Sequence, residues 1–199
     1  MKRIVFAMIE AGGGHKAPAR AVMEALQAGY PGRYQASLMD FIKDIGCEKV
    51  DAAHKKSWTL LLGQPLVTHL LYQLEDILGP IARAVLYRTL AAPAVPSAIR
   101  FLKRTRPDAV FSTHFLASMI LVEARRRSGV DFELITYLTE MFTFHSLWRV
   151  PETDWYITAS DRAAHAVARR GIRRSKIRTF PYPIRPDFLS SRRDPASVR

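Results

Sequence analysis

Six short runs rich in β-branched and aromatic residues, at 3–9, 34–38, 108–113, 132–138, 154–158 and 177–180, alternate with segments of helical periodicity. Strands spaced this widely cannot be joined by tight hairpins. The alternation therefore predicts parallel strands linked by crossover helices, an open α/β sheet of Rossmann-like type with helices on both faces. The helix after the first run carries Ala19, Val22, Met23 and Leu26 on one face, with Pro18 expected in its opening turn. A later helix is predicted to start at Ser160 and Asp161, to turn Ala164, Val167 and Ala168 inward, and to end at Arg169, Arg170 and Gly171.

Nothing in the composition opposes one folded domain. The 199 residues are 48% hydrophobic and 24% charged, far from the polar bias of a disordered chain. The single cysteine, Cys47, excludes an intramolecular disulfide and any cysteine metal cluster, so a reducing compartment and no metal are expected. The start, Met1 to Met8, is basic and then apolar. Its apolar run stops at Glu10, too short for a signal-peptide core, and reads as the first strand.

Residues 41–105 interrupt the rhythm, because they hold no convincing strand and read as a helical insertion. Within them, Ser57 to Leu74 is a run of 18 residues without a formal charge. Its length would permit a membrane span, but Gln64, Pro65, His69 and Gln73 would then sit in hydrocarbon at a cost of ~1 kcal/mol or more each. Trp58, Leu62, Leu66, Leu70 and Leu74 recur every four residues, flanked by Lys55, Lys56, Arg83 and Arg88. Two readings of that stripe stay open: helices packed on the sheet, or an amphipathic surface that dips into a bilayer interface through Trp58, Leu61, Leu62 and Leu66, backed by Arg83 and Arg88.

Thirty Lys and Arg against 18 Asp and Glu leave a net charge of +12, and residues 161–199 alone hold 11 basic and three acidic residues. Nucleic acid is not the expected partner. The basic residues are not interleaved with stacking aromatics, and no recognition-helix or zinc pattern is present. Anionic lipid headgroups, or plain solvent, suit the same charge.

Three motifs can carry chemistry. Gly12, Gly13, Gly14 and His15 fall between the first strand and the first helix, where backbone N–H groups and the helix dipole favour an anion and a neutral imidazole is a candidate general base. The spacing fits neither a dinucleotide fingerprint nor a Walker loop. The stretch Tyr137 to Trp148 follows the fourth strand and brings Thr139, Glu140, His145 and Trp148 to the same carboxyl edge. His114 joins that edge, where a structural role is its simpler reading. Last, Phe180 to Phe188 contains three prolines in six residues and reads as a stiff linker.

The order of GGGH, T-E-x-x-x-x-H-x-x-W and P-I-R-P-x-F over residues 3–188 resembles the amino-terminal domain of monogalactosyldiacylglycerol synthases and processive diacylglycerol glucosyltransferases, family 28 glycosyltransferases of the two-domain GT-B type. The resemblance implies an acceptor-binding domain over residues 1–180. Residues 181–199 would be a linker toward a carboxy-terminal domain that holds a UDP-sugar and is absent from this chain. It implies catalytic roles for His15, Glu140 and His145, and contacts to substrate or phosphate from Gly12, Gly13, Gly14, Thr139, Trp148 and Arg185. His15 would be the base that deprotonates the acceptor hydroxyl. Glu140 stands where the family usually has Asp, and Pro181 where it usually has Gly. The implied partners are diacylglycerol or a related lipid acceptor, a UDP-sugar donor and an anionic membrane surface, with no cofactor. The implied location is cytoplasmic, peripheral on the inner face of the cell membrane. A non-catalytic lipid-binding module without the donor domain is the alternative.

Overall fold

The computed structural model describes residues 1–11, 13–142 and 144–185. Six strands, β1 (Lys2–Met8), β2 (Tyr34–Asp40), β3 (Ala109–Ser112), β4 (Glu133–Tyr137), β5 (Trp155–Thr158) and β6 (Ile177–Thr179), form one sheet in the order β2-β1-β3-β4-β5-β6. All neighbours pair in parallel, with Ile4 opposite both Ala36 and Ala109. Every expected strand is present within a residue or two of its predicted bounds.

The period-two pattern of β1 splits the core. Val5, Ala7 and Ile9 face the layer of α6 (Ala92–Thr105), α7 (Phe115–Ser128) and α8 (Asp161–Arg169), where Leu102, Leu116, Leu121 and Val167 are buried. Phe6 and Met8 face α1 (Gly13–Gly29) through Ala19, Val22, Met23 and Leu26. α8 begins as the sequence predicts: the Ser160 hydroxyl accepts the Ala163 N–H at 3.1 Å, and past its end Gly171 takes φ +87°. α1 begins earlier than expected. It starts at Gly13, so Pro18 lies inside the helix rather than in its first turn, and His15 belongs to that first turn.

Between β2 and β3 the insertion runs through α2 (Phe41–Asp44), α3 (Glu48–Leu62), α4 (Pro65–Gln73) and α5 (Glu75–Leu86), then a π-turn at Tyr87–Ala91 that leads into α6. The uncharged stretch is broken at Gly63 and Gln64, between α3 and α4. Among the described residues no helix is long and apolar enough to cross a membrane. The leucine stripe is not sheet-packed core: Leu62 is 59%, Leu66 85% and Leu70 57% exposed, while Trp58 and Leu61 are half-buried. Ile81 and Val85 on α5 are exposed too, as is Arg88, and Arg83 is half-buried. Lys55 points elsewhere than expected. It bridges Asp40 and Asp51 at 2.8 Å each, so it is spent inside the fold rather than beside the leucines.

Candidate active site

The chain reverses its direction across the sheet at β1 and β3. β1 connects outward to β2 on one side, and the insertion returns the chain to the other side. In open parallel sheets ligands bind beyond the carboxyl ends of the strands at such a point. His15, on the first turn of α1, and Thr113 and His114, just past β3, meet there. The His15 Nδ1 donates to the Thr113 carbonyl at 2.5 Å, and the Thr113 hydroxyl donates to the His15 carbonyl at 2.9 Å. A carbonyl only accepts, so Nδ1 carries the proton and Nε2 of the neutral ring keeps its lone pair. Burial is the main influence on this imidazole and holds it below its ordinary pKa. The Thr113 bond and the Glu140 charge pull the other way, and His145 adds to the lowering.

The second motif closes on itself. Glu140 Oε1 accepts from the Trp148 indole N–H at 2.9 Å and from His145 Nε2 at 3.1 Å. The spacing T-E-x-x-x-x-H-x-x-W therefore encodes one carboxylate held by an imidazole and an indole. Trp148, on the 3-10 turn Ser146–Trp148, is 1% exposed and lies 6.3 Å from the His15 ring. Its position comes from below: the Tyr156 hydroxyl on β5 donates to the Trp148 carbonyl at 2.7 Å and accepts the Val150 N–H at 2.7 Å. Burial raises the Tyr156 pKa, which keeps the phenol able to make both bonds. From the insertion side, α5 presses on the same turn through Gly79, where a Cβ would sit 2.5 Å from Ser146 Oγ and 2.7 Å from Ser146 Cβ.

His114 caps α7, its Nδ1 accepting the Leu116 N–H at 3.1 Å. Its ring is 4.6 Å from that of His15, and its Nε2 is 3.3 Å from Nε2 of His54 on α3. Beneath it, hydroxyls of Ser112, Ser118, Thr136 and Thr153 form a buried ladder at 2.9–3.0 Å. His54, Tyr156 and Gly79 escape a reading of the sequence: His54 and Gly79 meet partners 60 or more positions away, and Tyr156 reaches Trp148 only because the loop before β5 folds back on it. Asp51 and His54, three apart on one helix, are the one local hint.

The structure thus brings together His15, Glu140, His145 and Trp148. Gly13 and Gly14 lie in the exposed first turn of α1, where their N–H groups lack intrahelical acceptors, and Gly12 lies outside the described residues. Thr139 is half-buried beside Glu140. Arg185 ends the described chain, past β6, where Tyr182 approaches the Tyr137 ring at 6.4 Å. The residues expected to meet a membrane lie on other elements, α3 to α5 and, for Arg88, the π-turn that follows. Among the described residues no group of histidine, cysteine and carboxylate side chains is placed to hold a metal ion.

A family model described as monogalactosyldiacylglycerol (MGDG) synthase matches residues 15–184. The chloroplastic monogalactosyldiacylglycerol synthase of Spinacia oleracea is 25% identical over 206 residues, covering 100% of this chain and 38% of that protein. A probable chloroplastic monogalactosyldiacylglycerol synthase of Glycine max is 26% identical over 194 residues, covering 94% of this chain and 35% of that protein. The chain therefore spans less than two fifths of the length of these relatives. Anabaena HepE, solved in complex with UDP and glucose, superposes with a TM-score of 0.50 at 15% identity, over 92% of this chain and 45% of that one. That likeness speaks to fold alone: a Rossmann-like open parallel sheet with helices on both faces.

Proposed function

Since the chain belongs to the monogalactosyldiacylglycerol synthase family, we propose that it is the acceptor-binding half of an inverting glycosyltransferase that moves a hexose from a UDP-sugar to diacylglycerol. The observation that carries the reading is the His15 ring, tied by Nδ1 to Thr113 with its basic Nε2 left over at the switch point of the sheet. His15 Nε2 takes the proton of the acceptor hydroxyl. The oxygen attacks the anomeric carbon from the face opposite UDP, the new C–O bond forms, and the bond to the β-phosphate oxygen breaks as UDP leaves. Glu140 faces the imidazolium that results and offsets its charge, while His145 and Trp148 hold that carboxylate in place.

The exposed leucines of α3 and α4, with Ile81 and Val85 of α5, seat the domain in a bilayer interface beside its lipid acceptor. Arg83 and Arg88 lie on the same insertion and add attraction to anionic headgroups. Residues 1–180 form this half. Residues 181–199, with Arg185, lead to the donor-binding half, which supplies most contacts to the UDP-sugar. Gly13, Gly14 and Thr139 line the acceptor side of the cleft.

The test joins this chain to a donor-binding half and supplies diacylglycerol vesicles with labelled UDP-hexoses. Glycolipid of inverted anomeric configuration is the expected product, and none is expected from the 199-residue chain alone. An assembled protein that binds vesicles but transfers no sugar supports the rival reading, a non-catalytic lipid-binding module.

A further inference from the structure

We propose that His54 and His114 are positioning residues for His15, a buried imidazole pair whose single hydrogen-bond direction fixes the carbonyl that orients the base. The inference rests on the reading of His15 as the base. Leu116 N–H donates to His114 Nδ1, so the neutral His114 ring must carry its proton on Nε2. That proton is given to His54 Nε2 across 3.3 Å, which leaves the His54 proton on Nδ1. The assignment has no alternative while the α7 cap stands, because a proton on His114 Nδ1 would face the Leu116 N–H. The pair in turn pins residues 113 and 114, and the Thr113 carbonyl is the acceptor of His15 Nδ1–H.

The surroundings keep both rings uncharged. His54 is 3% and His114 2% exposed, packed edge to face at 5.0 Å with Phe115 against both. Facing His54 are Asp51 and Lys55 of α3 and the His15 ring, and Lys55 already binds Asp51 at 2.8 Å. Facing His114 are His15, His54 and His145, and facing His15 are Glu140 and His145. Burial dominates at each imidazole of the pair, pushing His54 down to about 4 and His114 well below the ordinary value. His15 therefore packs on a buried, uncharged ring. Among the described residues, the carboxylate that acts on His15 is Glu140, on the opposite motif. Because His54 belongs to the insertion, the base is also tied to the helix that carries the exposed leucines.

Long-range proton–nitrogen correlation spectra of the 15N-labelled chain read all three tautomers at pH 7. The expected pattern is His15 protonated on Nδ1, His114 on Nε2 and His54 on Nδ1, all neutral. His54→Ala should shift the His15 titration midpoint by about half a pH unit or more, because His114 loses its acceptor. His54→Gln, whose amide oxygen accepts the same proton, should restore most of that shift. A folded His54→Ala chain with an unchanged His15 midpoint and tautomer overturns the proposal. So does a wild-type His114 protonated on Nδ1, a result that needs no variant to fold. Neither outcome bears on whether His15 is the base, which is decided by turnover.

Discussion

Thr113 offers His15 a carbonyl oxygen, which has no proton to give, and that single fact sets the tautomer on which the proposed chemistry depends. Burial lowers the His15 pKa, which favours the neutral ring that the proposed base needs. The acid limb of kcat/KM in an assembled enzyme should fall below the ordinary imidazole range, with a flat profile through neutrality. Glu140→Gln keeps an acceptor for Trp148 but removes the charge that raises His15, so the His15 midpoint measured by NMR should drop further; a rise would contradict the placement. The depressed histidines also shape stability. A histidine whose folded pKa lies below its unfolded value stabilises the fold above the unfolded value, and that contribution is lost as pH falls toward the folded one. For His54 the window runs from the ordinary imidazole value down to about 4. Thermal midpoints should therefore fall on acidification from pH 7 to pH 4.5, and less so in His54→Gln. His15, Glu140, His145 and Trp148 were legible as candidates because each lies in a compact motif after a strand. His54 and Tyr156 were not, since their partners His114 and Trp148 arrive through tertiary packing.

The helical insertion was legible as an element: its predicted bounds, 41–105, coincide with the stretch from the start of α2 to the end of α6. Which way its apolar stripe faces was not, since a stripe every four residues suits a core and an interface equally. The exposure of Leu62, Leu66 and Leu70 turns those side chains away from the core. Changing Leu66 and Leu70 to Ser should leave the thermal midpoint nearly unmoved, within ~0.5 kcal/mol of stability, and weaken binding to anionic vesicles. A large loss of stability would return those side chains to the core. Gly79 and Gly63 make a second pair of probes. Gly79→Ala drives a methyl into Ser146 and should cost about 1–3 kcal/mol while displacing the Trp148 indole resonance. Gly63→Ala meets only ordinary contact, 3.5 Å from the Leu60 and Thr59 carbonyls, and should be tolerated. Pro18 misled the placement of the first helix: proline suits a first turn, yet the helix extends five residues ahead of it, which is how His15 comes to ride on α1.

Among the described residues, the basic end of α8 and the candidate site residues lie at opposite edges of the sheet. Helices of a parallel sheet run against their strands, so Arg169, Arg170 and the Arg174–Lys176 turn lie before β6, at the edge opposite His15. Lys176 is spent there on the Pro151 and Thr153 carbonyls, at 3.0 and 2.6 Å. The carboxyl edge gathers the candidate residues, with His15 from α1, His114 from the β3 end and Glu140 with His145 and Trp148 from the loop after β4. That convergence was predictable from strand order, because the carboxyl ends of parallel strands share one edge. The distances that make it a site were not, since they depend on how the 3-10 turn is held by Tyr156 and Gly79. The decisive measurement is the turnover of His15→Ala against the parent in an enzyme assembled from this chain and a donor-binding half, on diacylglycerol vesicles with a UDP-hexose. With the fold shown intact by circular dichroism, the expected loss is ~100-fold or more, the usual contribution of a general base; a loss smaller than about threefold would contradict the assignment of His15.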